Sequence, residues 1–234
     1  MSNWIPYEQY MENSDPEDLK IVNLNLSEID KKEVSKMISL IEKDEGMNNY
    51  EKGALLENTI ERILLGTKIF KSIKNKHTTS NEFDLLVKLN MNGKYMRAMK
   101  LIPQWIPDEF LIECKNHTKP VDVGLVGKFY SLMDVSNISL GIFIAKYGVS
   151  GRDKKLWEDA AAFINKINLK YSESSSQRIL LDFSLNEIKR VLENDVNMVD
   201  LIDDKKVQIN LDISGELSRW ILPHENAIEI EKNR

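Results

Sequence analysis

The chain predicts an α/β fold in which helices cover both sides of a mixed central sheet. Short apolar runs of strand length recur at EFDLLVKLN (82–90), EFLIECKN (109–116), ISLGIFIA (138–145) and RILLDF (178–183). Stretches with apolar residues at helical spacing lie between and before them, the alternation expected of such a sheet. Hydrophobic residues make up 42% and charged residues 29% of the chain, ordinary globular usage that excludes disordered and low-complexity classes.

The first 25 or so residues, with Pro6, Pro16 and polar clusters, read as an irregular arm. Ser27 followed by Asp30 resembles a helix start, and Val34, Met37, Ile38 and Ile41 then recur at helical spacing to about Glu45-Gly46. A second helix is expected from Asn49 to Leu65, with Leu55, Leu56, Ile60, Ile63 and Leu64 as its apolar stripe and Gly66 as its C-terminal cap. A strand follows within residues 67–80, and EFDLLVKLN is the next. Asn92-Gly93 has hairpin-turn chemistry, so KYMRAMKLI (94–102) is expected to return as a strand. EFLIECKN reads as a buried strand that Pro120 prevents from continuing. Residues 121–135 fit a helix, ISLGIFIA a core strand, 154–167 a helix, RILLDF a strand and LNEIKRVLEN (185–194) a helix. KVQINLDI (206–213) is expected as a last strand, and Asp203-Asp204-Lys205-Lys206 as a solvated turn.

At 234 residues the chain has room for one large domain or a domain with appendages. The expected division is an acidic arm and helix at 1–48, a core at 49–195 and an extension at 196–234. No apolar run has the length of a membrane span, so no membrane partner is expected. Cys114 is the single cysteine, which excludes an intrachain disulfide and suits a reducing cytoplasm. His77, His117 and His224 are far apart and show no ligand spacing.

The net charge of −5 hides an asymmetry. Residues 1–65 carry 7 Lys/Arg against 14 Asp/Glu, residues 66–155 carry 15 against 8, and the remainder 10 against 15. A basic middle third in an acidic protein points to a polyanion partner, against the plainer reading of solvated lysines.

The chemistry concentrates there. Strand alternation puts Leu111, Glu113 and Lys115 on one face and Phe110, Ile112 and Cys114 on the other. An acid and an amine at the end of an apolar strand are costly to bury without purpose. Asp84 lies within the apolar Phe83–Val87 run, and Glu57 and Glu61 share one side of the second helix. Three elements thus each offer an acid, and oxygen-only ligation suits Mg²⁺, with Mn²⁺ as substitute. Lys115 beside such an ion could help deprotonate water or stabilise charge on phosphorus; the residues do not choose between these roles.

Asp84, Glu113 and Lys115 resemble the D…ExK core of the PD-(D/E)xK nuclease superfamily, and their context is similar to its Mrr-like restriction endonuclease branch. Gly53-Ala54-Leu55-Leu56-Glu57 is similar to the opening of that family's first core helix, and Glu82–Val87, Ile112–Asn116 and Gly141–Ile144 to its core strands. The resemblance covers about residues 50–195. It implies a restriction-endonuclease-like mixed sheet with an αβββαβ core and Mg²⁺-dependent hydrolysis of DNA phosphodiesters. It also implies Asp84 and Glu113 as metal ligands, the Cys114 backbone carbonyl in the metal shell, Lys115 as the catalytic lysine and Glu57 as a supporting acid that binds metal or water. Asp84 follows Phe83 rather than proline, and residues 91–108 look like an insertion relative to the family.

Lys119, Lys128 and Asn116 are candidate nucleic-acid contacts. Partners expected are DNA and either a second copy in a homodimer or a partner subunit. A role in restriction or anti-phage defence follows from the resemblance alone. The competing readings are a catalytically silent module that holds nucleic acid or a protein partner, and a structure-specific resolvase or RNA nuclease.

Overall fold

The fold is that of a computed structural model, described over residues 24–74, 83–151, 159–171, 178–194 and 196–210. Helix α1 (Glu28–Lys43) starts where expected, because the Ser27 side chain accepts the Asp30 N–H at 3.2 Å. Helix α2 (Asn49–Gly66) opens on a reciprocal box in which Asn48 and Glu51 cap each other's backbone. Gly66 is the last helical residue of α2 rather than its cap. A Cβ there would lie 2.4 Å from Leu26 Cδ2, so the glycine lets the Leu26 side chain pack against the helix. Lys68 takes the left-handed turn instead, at φ 60°.

Five strands follow: β1 (Phe70–Lys74), β2 (Leu85–Leu89), β3 (Glu109–Lys115), β4 (Leu140–Ala145) and β5 (Ile179–Ser184). They lie in one sheet in chain order, β1 to β3 antiparallel and β3 to β5 parallel. The two parallel connections run through α4 (Val123–Val135) and α5 (Ala160–Tyr171). Because both crossovers step in one direction with the same handedness, both helices pack on one face. Their core includes Leu111, Val126, Phe129, Phe143 and Ile164. The opposite face carries the larger core, with Leu85, Val87, Phe110, Ile112 and Phe183 against α1, α2, the short α6 (Leu185–Ile188) and α7 (Met198–Asn210). Each of these large side chains stabilises the fold by ~1.5–3 kcal/mol through burial. The mixed α/β expectation therefore holds. Both α1 and α7 share this core with the 49–195 segment.

Four local expectations are revised. Residues 91–98 form a helix, α3 (Met91–Ala98), instead of a hairpin and return strand. Asn90 caps it by accepting the Gly93 N–H at 3.0 Å, and Gly93 is required because a Cβ would sit 2.5 Å from the Ile69 carbonyl oxygen. The 185–194 helix divides into α6 and a 3-10 turn over Lys189–Leu192. The last strand is absent over 206–210, which belong to α7, while 211–213 lie outside the described residues. The supposed turn at 203–206 lies within that helix. Lys205 is buried there, its ammonium paired with Glu187 and over the Phe183 ring at 5.2 Å.

Candidate functional site

The β2–β3 register brings the two predicted acids together. Leu85 pairs with Ile112 and Leu86 with Leu111, so Asp84 and Glu113 occupy the next step on one side of the sheet. Asp84 Oδ2 accepts the Cys114 N–H at 2.6 Å, which fixes this carboxylate against β3. The Lys115 ammonium lies 2.6 Å from Glu113 Oε1, 3.3 Å from the Cys114 carbonyl oxygen and 3.6 Å from Asp84 Oδ2. Oxygens of three residues thus surround one positive charge.

Glu113 is largely enclosed, its side chain only 15% exposed, and its Oε2 is buried with no hydrogen-bond partner. Burial pushes its carboxyl up to about 7, and the Asp84 charge adds to the rise, against the opposing pull of Lys115. Burial pulls Lys115 down, but the Glu113 and Asp84 carboxylates reverse that, so its ammonium is held above the usual lysine value. The Cys114 thiol is pushed well above its ordinary value by burial and then by the surrounding carboxylates, which makes it a packing group and no nucleophile.

On α2 the two glutamates separate. Glu57 is raised by burial and then by the Asp84 charge, and is lowered by Lys115, so it belongs to the same electrostatic cluster. Glu61 is tied to β1 instead: its Oε1 accepts the Ser72 hydroxyl at 2.7 Å and its Oε2 lies 2.6 Å from Lys74 Nζ.

The three candidate nucleic-acid contacts fare differently. Lys119 and Lys128 are exposed, and the Lys128 charge reaches Glu113. Asn116 is engaged inside the protein, its Nδ2 donating to the Lys52 carbonyl at 2.9 Å, so it ties the end of β3 to the first turn of α2. Its Oδ1 is buried without a partner.

One residue near this end of the sheet escaped the sequence reading. Lys146 follows β4 directly, its backbone N–H donating to the Lys115 carbonyl. Its side chain is only 5% exposed and its ammonium lies 3.4 Å from Asp44 Oδ2, while Asp44 Oδ1 is 2.8 Å from Lys52 Nζ. A lysine closing the wholly apolar run LGIFIA was the available signal.

Among the described residues, no group of three or more His, Cys, Asp or Glu side chains is arranged to hold a metal ion. The Asp84–Glu113 pair and the Cys114 carbonyl nevertheless fit a hard dication. The donors are all oxygen, Glu113 Oε2 is buried and unpaired, and the carboxylates of Asp84 and Glu113 both lie close to the Lys115 ammonium. No known protein family, no characterised protein and no solved structure matches this chain.

Proposed function

We propose that the protein is a metal-dependent deoxyribonuclease that hydrolyses phosphodiester bonds. The observation that carries this reading is the convergence of Asp84, Glu113 and the Cys114 carbonyl on the Lys115 ammonium. The α2–β1–β2–β3–α4–β4 order agrees with the αβββαβ core that the sequence resemblance implies, with α3 inserted between β2 and β3. Mg²⁺ or Mn²⁺ held by Asp84, Glu113 and the Cys114 carbonyl would supply a nucleophilic water and neutralise charge on the phosphoryl group.

The chain's own residues then have distinct tasks. The Cys114 N–H holds the Asp84 carboxylate in place. The Glu113 and Asp84 carboxylates hold the Lys115 ammonium above the usual lysine value, which suits it as a positive charge and hydrogen-bond donor to a phosphoryl oxygen. Glu57, its carboxyl raised by burial and then by the Asp84 charge, is the supporting acid of the pair. Lys119 and Lys128 contribute positive charge for neighbouring phosphates. A place in restriction or anti-phage defence extends the same reading.

The test is cleavage of plasmid and labelled linear DNA with Mg²⁺ or Mn²⁺. Asp84→Asn and Lys115→Ala should each lower the rate by about 100-fold or more while the circular dichroism spectrum stays unchanged. Full activity in both variants refutes the assignment. Among the described residues no three acidic side chains are arranged to hold a metal, which favours a second reading, a silent nuclease-like module that binds nucleic acid or a partner. DNA binding without cleavage in any metal, together with no heat of Mn²⁺ binding, would select it.

A further inference from the structure

Among the described residues, helices α4 and α5 cover the sheet over its parallel half and leave Lys71 and Ile73, on the same face of β1, exposed. Ile73 is 49% exposed. Lys71 and Lys88 stand directly opposite each other in the β1–β2 register, a like-charge arrangement that weakens a strand pair unless an anion relieves it. Lys88 is answered by Glu109 at 2.6 Å and Lys94 by Asp108 at 2.8 Å, and Arg97 also holds Asp108. Among the described residues Lys71 has no acidic partner. Lys71, Lys88, Lys94, Asp108 and Glu109 line an open groove of about 550 Å³ together with Asn137 and Ser139 of the loop before β4. Three lysines, an amide and a hydroxyl are donors of the kind that contact phosphate oxygens. The two acids in the groove are both engaged by cations.

The groove lies on the face that carries the candidate catalytic pair. Along β2 the residues on that face are Asp84, Leu86 and Lys88, and along β3 they are Glu109, Leu111 and Glu113. Four residues of strand separate the Lys88–Glu109 step from the Asp84–Glu113 step, a span of about 13 Å at the rise of an extended chain. That is close to the ~12 Å width of a B-DNA major groove, the separation of the two phosphate rows that flank it.

We propose that the Lys71–Lys88 groove is a second backbone-phosphate site, which holds nucleic acid about 13 Å from the point of cleavage. It rests on the nuclease reading for its choice of polyanion, but it can fail separately. The experiment is fluorescence anisotropy with a fluorescein-labelled 20-base-pair duplex in EDTA, over a salt series. Lys71→Glu should weaken binding about tenfold or more, and Lys71→Ala should lower the slope of log K against log salt by about one phosphate contact. Lys36→Glu, an exposed position on α1, should leave both unchanged. Unaltered DNA binding in Lys71→Glu overturns the groove, as does a wild-type protein that binds no DNA or binds polyglutamate equally well. If Lys71→Glu binds normally while Asp84→Asn still abolishes cleavage, the groove falls and the nuclease reading stands. If binding depends on Lys71 but no metal supports cleavage, the groove stands and the nuclease reading falls.

Discussion

Lys115 Nζ and Glu113 Oε1 are 2.6 Å apart on the same side of β3, with Asp84 pressing a second carboxylate toward the same ammonium. One positive charge is therefore divided between two acids. Burial first and the Asp84 charge second push the Glu113 carboxyl up to about 7, against 4.5 ordinarily.

The sign of the resulting pH dependence follows from proton binding. Between those two values the folded chain keeps a proton that the unfolded chain has lost. The associated stability is fully present below 4.5 and disappears as pH rises through about 7. Metal-free Glu113→Gln should therefore lose less thermal stability than the wild type between about pH 5 and 8. Melting curves across that range check it, and equal slopes in the two proteins contradict it.

Glu57 and Glu61, one turn apart on α2, should separate cleanly in function. Glu57 shares the field of Asp84 and Lys115, whereas Glu61 is held by Ser72 and Lys74. Glu57→Gln should weaken Mn²⁺ binding by calorimetry about tenfold, the scale of a supporting group behind a metal ligand. Glu61→Gln should leave that affinity alone and cost ~0–1 kcal/mol, since the Glu61–Lys74 pair is partly exposed. A larger metal-affinity loss in Glu61→Gln than in Glu57→Gln would reverse the assignment.

The strands and the acid pair were legible because each rests on short-range pattern. Alternation along Phe110–Lys115 put Glu113 and Lys115 on one side, and the fold keeps them there. The choice between Glu57 and Glu61 was not legible, since it depends on Ser72 and Lys74 arriving from β1. Asn92-Gly93 misled for a similar reason. The pair carries hairpin chemistry, but Asn90 caps the backbone first and the glycine is there to admit the Ile69 carbonyl. Lys205 likewise sits in a charged run that reads as solvated until Glu187 and Phe183 are brought beside it.

Lys146 and Asp44 supply a stability test that does not depend on catalysis. The Lys146 ammonium is buried, and Asp44 is the carboxylate paired with it among the described residues. Removing Asp44 leaves a buried charge without its partner, which costs far more than removing the pair. Asp44→Ala should melt well below the wild type, Lys146→Met should melt close to it, and the double variant should recover most of the loss. A double variant no more stable than Asp44→Ala would show that the pair is not the cause.

Gly93 gives the clearest expectation for the fold itself. It lies in the first turn of α3, where a Cβ would come within 2.5 Å of the Ile69 carbonyl oxygen and 2.8 Å of Leu89 Cδ2. Leu89 can rotate, but the carbonyl cannot, because it already accepts the Asn90 N–H at 2.9 Å. Gly93→Ala must therefore push α3 off the β1–β2 ribbon or break that hydrogen bond. Overpacking of this kind costs ~1–3 kcal/mol, and the immovable backbone neighbour places Gly93→Ala at the upper end. For a chain of this size that corresponds to a melting midpoint lowered by about 5–10 °C. Gly53→Ala is the matched control: its Cβ would meet nothing nearer than Glu57 Oε1 at 4.0 Å, and alanine favours the helix. Gly53→Ala should melt at or above the wild-type temperature. Equal midpoints for the two variants would mean that α3 is not seated on Ile69 as described.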